Sequence, residues 1–202
     1  MNTFVIAIFT CIISTIFVLS VAYSMSRMRF KMRKPFMNIA MIIGLFPSFM
    51  SMIAVYYILR ALNLADGAMI RVALIIVFSA GSGAGFYVAK GFFDTISKSL
   101  DEAAIIDGAT RWNVFTKITV PLSKPIIVYT ILTSFMGPWV DFIFGKVICR
   151  ADAQYYTVSI GLWKMLEKEY IDSWYTCFAA GAVVVSIPIA ILFLMTQKFY
   201  VE

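Results

Sequence analysis

Five long apolar stretches restrict what this chain can fold into more than any other feature. Residues 1–26 and 35–59 hold no charged side chain, 72–89 lie between Arg71 and Lys90, 125–145 are interrupted only by Asp141, and 173–197 complete the series. The hydrocarbon core of a bilayer is about 30 Å thick and takes roughly 20 mainly apolar residues to cross as a helix. Runs of this length exceed what a buried helix of a water-soluble bundle needs. Apolar residues form 61% of the 202 and charged ones only 14%, against about a quarter charged in ordinary soluble domains. The expected fold is an all-α integral membrane protein with about five transmembrane helices.

The formal charge of +6 invites a nucleic-acid reading, but the placement of the positive residues argues against it. Arg27, Arg29, Lys31, Arg33 and Lys34 follow directly on the first apolar run, as expected of a cytoplasmic loop. Two spans later, 90–124 returns to the same side by parity. It carries Lys90, Lys98, Arg111, Lys117 and Lys124 against four acidic residues. The connections 60–71 and 146–172 then face outside. Tyr155, Tyr156, Trp163, Tyr170, Trp174 and Tyr175 fall in or beside the second. They read as an interfacial aromatic belt, with a docking surface for an extracytoplasmic partner as the alternative. Five spans place the first residue outside, which points to one upstream span missing from a longer protein.

Histidine is absent, and Cys11, Cys149 and Cys177 are dispersed. No spacing fits a metal site or a redox pair. No G-x-x-x-x-G-K-[ST] loop is present. "GSGAG" at 81–85 lies within an apolar run without a following Lys, and reads as G-x-x-x-G helix packing.

The polar insert 92–124 is patterned like folded structure. Ser99 and Glu102 have capping-box spacing, and Asp101 adds negative charge to the first helical turn. Gly108 sits where a left-handed C-terminal cap ends a helix. Thr110 can cap a second helix carrying Trp112, Phe115, Thr116 and Thr119, with Pro121 closing it. The expectation is helix, glycine turn, helix on the cytoplasmic face. The Ala103–Ala104 pair lets another surface approach closely, with Glu102 and Asp107 at its edge. An amphipathic linker on lipid headgroups is the alternative, but the first helix is small-sided and acidic, which suits a protein socket.

These residues carry a resemblance. "EAAIIDGATRWNVFTKITVPLSKP" resembles the EAA loop of the membrane subunits of binding-protein-dependent ABC importers, through Glu102, Ala103, Ala104, Asp107, Gly108, Ala109, Phe115, Ile118 and Pro121. Val120 stands where Leu is usual, and Ser97 where many members have Pro. "AYSMSRMRFKMRK", "FMGPWVDFIF" and "VSIPIAILFLMTQKFYVE" resemble further segments of carbohydrate-type permeases, so the similarity covers essentially the whole chain. It is nearest to the shorter maltose/maltodextrin permease subunit. The resemblance implies a six-span family, with the first span and a Gly-rich cytoplasmic tail missing here. It also implies one permease domain over 1–202, a non-enzymatic role without cofactor, and a bacterial-type inner membrane location. The implied partners are a second permease subunit, a cytoplasmic ATPase dimer gripping the EAA helix, an extracytoplasmic solute-binding protein, a sugar, and membrane lipid. Alternatives are an importer of another solute, or a non-functional fragment.

Trp139 and Asp141 are candidates for the translocation path, since an acidic residue in an apolar span is a functional candidate. Contact with interfacial water or a basic side chain is the milder alternative for Asp141. Pro47, Pro138 and Pro188 are expected to kink their spans. Ser79, Ser82, Thr133 and Ser134 are expected to bond to their own helix backbones.

Overall fold

The computed structural model describes residues 1–45, 48–150, 152–167 and 171–201; Pro47 and Tyr170 lie outside them. Among the described residues the regular structure is helical throughout. The first helix, α1 (Asn2–Arg27), is the hub and packs on α4 (Met69–Gly81), α5 (Phe86–Thr95) and α9 (Lys124–Val140). Its buried face carries a row of mostly small side chains, Thr3, Ala7, Thr10, Ser14, Val18, Ala22 and Ser26, flanked by the larger Ile6, Leu19, Tyr23 and Met25. Small side chains repeating every three or four residues let neighbouring helices approach closely where lipid supplies no hydrophobic drive. Two apolar clusters lie toward opposite ends of α1. One gathers Ile6, Ile70, Leu74, Ile148 and Ile160, the other Val18, Ala22, Phe86, Phe93 and Ile126.

Among the described residues three helical stretches are long and apolar enough to cross a membrane: Asn2–Arg27, Met69–Thr95 and α12 (Ile171–Thr196). The second joins α4 to α5 through a tight 3₁₀ turn, Ser82–Gly85. Gly85 meets Val18 of α1 there, whereas a side chain at Gly81 would meet open space. The glycine motif therefore packs through one glycine. None of α12 is buried, so its surface is left for lipid or another subunit.

Within the 35–59 run the described residues form α2 (Arg33–Gly44) and α3 (Ser48–Ala61). The 125–145 run starts as α9, which meets the preceding helical stretch Arg111–Leu122 at 82°. That break falls at Ser123, ahead of Pro125 at the first turn of α9. Pro138 and Pro188 lie inside α9 and α12, which continue through them.

Candidate functional site

The polar insert folds as two short helical elements. The first is α6 (Lys98–Ile106). Its N-cap is Ser97, whose Oγ accepts the Ser99 N–H at 3.3 Å. The helix thus begins two positions ahead of the expected Ser99 box, because the extended backbone of Ser97 (ψ 131°) is the geometry an N-cap needs. Asp107 is the C-cap, and Gly108 takes φ +86°. The Ala109 N–H donates to the Ala104 carbonyl at 2.9 Å and the Gly108 N–H to that of Ile105 at 3.0 Å. This pair of bonds is a Schellman closure, which favours glycine at the left-handed position.

The Thr110 hydroxyl accepts the Asn113 N–H at 3.2 Å and opens α7 (Arg111–Val114). A π-turn, Phe115–Thr119, follows, and then α8 (Val120–Leu122). Pro121 therefore lies inside the final turn and does not close the segment. A proline N cannot donate to the preceding turn, and the wide π-turn just before it is where the regular bonding pattern already changes. Phe115 packs on Tyr23 of α1 with ring centroids 4.8 Å apart. Ile118 is half-buried.

The nine residues of the motif thus divide. Glu102, Ala103, Asp107 and Gly108 are exposed and Ala104 and Ala109 half-buried on α6 and its closing turn. Phe115 and Ile118 lie on the second element, and Pro121 is exposed beyond them. The exposed side of α6 and α7 also carries large apolar groups, with Ile106 85% and Trp112 69% exposed.

What holds α6 in place was not read from the sequence. Arg27, the last residue of α1, approaches Asp101 with Nε 3.0 Å from Oδ2, the side chains being only 3% and 12% exposed. The contact is an ion pair without an aligned hydrogen bond. Arg27 Nη2 also donates to the Ile96 carbonyl at 2.9 Å. Beside it, Ser26 Oγ donates to Asp94 Oδ1 at 2.6 Å, and Lys90 Nζ contacts the other oxygen of Asp94 at 2.5 Å. The Tyr23 hydroxyl donates to the Arg111 carbonyl. Arg27 reads in sequence as a marker of sidedness. The available signal for more was a cation at the end of an apolar helix, which needs a partner once buried.

A groove of about 840 Å³ lies between α4, α9 and the following helix α10 (Ile143–Cys149), lined partly by Ser82, Thr133, Ser134, Gly137 and Asp141. Asp141 Oδ2 accepts the Gly145 N–H at 2.9 Å and so caps the start of α10. Trp139 is buried, does not line the groove, and stands beside Phe135 with centroids 5.9 Å apart. Ser159 Oγ bonds to the carbonyls of Trp139 and Asp141, which staples α11 (Val158–Met165) to the end of α9. Ser82 and Thr133 donate to Phe78 and Tyr129 of their own helices, as expected. Ser79 Oγ is buried without a hydrogen-bond partner among the described residues, so the expected backbone bond is missing there. Among the described residues no cluster of potential metal ligands occurs.

Residues 14–200 match the family described as binding-protein-dependent transport system inner membrane component. The chain is 35% identical over 202 residues to the galactooligosaccharides transport system permease protein GanQ of Bacillus subtilis, covering all of this chain and 70% of that one. It is 31% identical over 202 residues to the maltodextrin transport system permease protein MalD of Streptococcus pneumoniae, covering 71% of it. A solved bacterial ABC transporter, described as involved in the import of the acidic polysaccharide alginate, contains a chain that superposes with a TM-score of 0.81 at 26% identity. The match covers 98% of this chain and 73% of that one. The two sequence relatives are described as transport system permease proteins, a transport role and not an enzymatic one. With its apolar helices and this match over nearly its whole length, the chain belongs to the family of inner membrane components of binding-protein-dependent transport systems.

Proposed function

We propose that this chain is a permease subunit of an ABC importer of sugars and that it takes oligosaccharides of the maltodextrin kind. It forms one domain over 1–202 and contributes half of a translocation pathway beside a second permease subunit. A solute-binding protein delivers substrate from outside, and an ATPase dimer acts on α6 from the cytoplasm. The observation that carries the coupling role is the form of α6. It is capped at both ends, anchored on its buried side by Asp101, and presents small, acidic and apolar side chains outward. A lipid-resting linker needs no such anchor. Hydroxyl and carboxylate groups in the groove at Ser82, Thr133, Ser134 and Asp141 suit a polyhydroxylated solute, and Trp139 supports that wall from behind.

The sugar reading draws on the relatives, which are described as carrying maltodextrin and galactooligosaccharides. Uptake of labelled maltodextrin by cells expressing the full transporter, with unlabelled galactooligosaccharides or amino acids as competitors, tests it. Competition by amino acids alone makes the chain an importer of another solute. Glu102→Lys and Gly108→Asp are expected to loosen the ATPase and abolish uptake. Normal copurification together with wild-type transport would falsify the coupling role of α6.

A further inference from the structure

A pocket of about 430 Å³ opens between the end of α1, the start of α2 and one face of α6 and α7. Its wall carries Arg27, Arg29, Arg33, Lys98 and Arg111. Two carboxylates, Asp101 and Glu102, share the wall, so five cations against two anions leave a net formal charge of +3. Asp101 is already engaged by Arg27, while Arg29, Arg33, Lys98 and Arg111 form no ion pair among the described residues. Like charges gathered this closely repel one another, and a bound anion removes that cost.

Arg27 adds a second, independent observation. Its side chain is 3% exposed. One terminal nitrogen, Nη2, bonds to the Ile96 carbonyl, but Nη1 is buried without a hydrogen-bond partner among the described residues. A buried guanidinium N–H normally has an acceptor.

Height in the membrane narrows the ligand. The 26 residues of α1 extend for about 39 Å at 1.5 Å per residue, roughly the hydrocarbon core with part of the headgroup layers. Arg27 and the residues after it therefore lie at headgroup level, where phosphodiesters are found. Phe30 and Met32, 43% and 61% exposed, are placed among these cations and suit the same interface. Guanidinium forks match phosphate oxygens in geometry as well as charge.

We propose that this pocket binds a phosphate group, carried by the headgroup of an anionic phospholipid or supplied as soluble phosphate. Occupancy neutralises the unpaired cations and ties α6 to the end of α1 and the start of α2. An acidic side chain of a protein partner is the rival occupant, disfavoured by the height and by the match of several guanidinium groups to one tetrahedral anion.

The test uses the full chain assembled with its partner subunits, in nanodiscs of phosphatidylcholine with and without phosphatidylglycerol. Retained lipid is counted by native mass spectrometry, and affinity is titrated with dihexanoyl phosphatidylglycerol. Arg29→Gln/Arg33→Gln takes two guanidinium groups from the pocket wall and is expected to weaken phosphatidylglycerol binding roughly thirty-fold or more, since charge-assisted bonds to a phosphate are the stronger class. Lys31→Gln/Lys34→Gln removes the same charge from the same loop outside the pocket and is expected to change binding by less than about three-fold, the charge effect falling off away from the site. Inorganic phosphate displacing the lipid at comparable concentration identifies soluble phosphate as the source, and failure to displace it identifies the headgroup. Equal retention of phosphatidylcholine and phosphatidylglycerol overturns the proposal, as do equal losses in the two double variants. Lipid retention that disappears whenever the ATPase is bound assigns the pocket to the protein partner instead.

Discussion

The pair Arg27–Asp101 offers the sharpest energetic prediction. Two charges about 4 Å apart attract by about 4 kcal/mol at an effective dielectric of 20, offset by the cost of removing both from water. The side chains are 3% and 12% exposed with Nε and Oδ2 3.0 Å apart, so solvent screens them little. Removing one partner leaves the other buried and unpaired. Arg27→Met and Asp101→Asn are each expected to destabilise by about 3 kcal/mol, the low end for a broken buried pair, because no aligned hydrogen bond accompanies the contact. The double variant leaves no orphan charge and is expected to lose only about 1–2 kcal/mol, giving a coupling of about 4 kcal/mol in the double-mutant cycle. Unfolding of the four proteins in detergent, at low and high salt, measures it. A coupling below about 1 kcal/mol, or one that halves on adding salt, marks an ordinary solvent-screened pair and refutes the view that α6 is anchored by a buried charge.

Gly108→Ala meets no steric neighbour, so its cost comes from the φ of +86°; a loss of about 1 kcal/mol is expected, with Gly108→Asn losing less, read from thermal unfolding. Asp141→Ala removes the cap on the Gly145 N–H and is expected to cost about 1 kcal/mol, while Asp141→Asn keeps most of the cap. If Asp141→Asn is as stable as the parent yet transports poorly in uptake assays, the carboxylate serves the pathway rather than the helix end. Burial, with a smaller contribution from Asp152, pushes the Cys149 thiol up to about 11. The thiolate is the form that alkylates, so a protein retaining Cys149 alone is expected to show labelling that rises about tenfold per pH unit from 8 to 10. A plateau near pH 9 shows that the site is open to water.

Periodicity and end signals made α6 readable in advance. Gly108 and Thr110 took the roles their chemistry allows, since a left-handed cap and a hydroxyl N-cap depend on neighbours within four residues. The N-cap itself shifted to Ser97, because two serines two positions apart offer the same oxygen and the backbone at Ser97 decided between them. Pro121 misled for a related reason: proline excludes a donor at its own position, but a π-turn before it lets the helix continue to Leu122. The 82° bend at Ser123 falls where the polar insert gives way to the apolar run from 125, a boundary that composition already marks.

What the residues determined by themselves was the solvent, the helical class and the end signals of α6. All of these rest on composition and on spacings of a few positions, where backbone geometry leaves little choice. Only the tertiary structure decided which charges meet. Arg27 and Asp101 are separated by more than seventy positions, and their pairing depends on how α1, α5 and α6 converge. The gathering of Arg29, Arg33, Lys98 and Arg111 around one pocket has the same origin. Electrostatic energy depends on distance in space and on burial, and neither is set until the helices have packed.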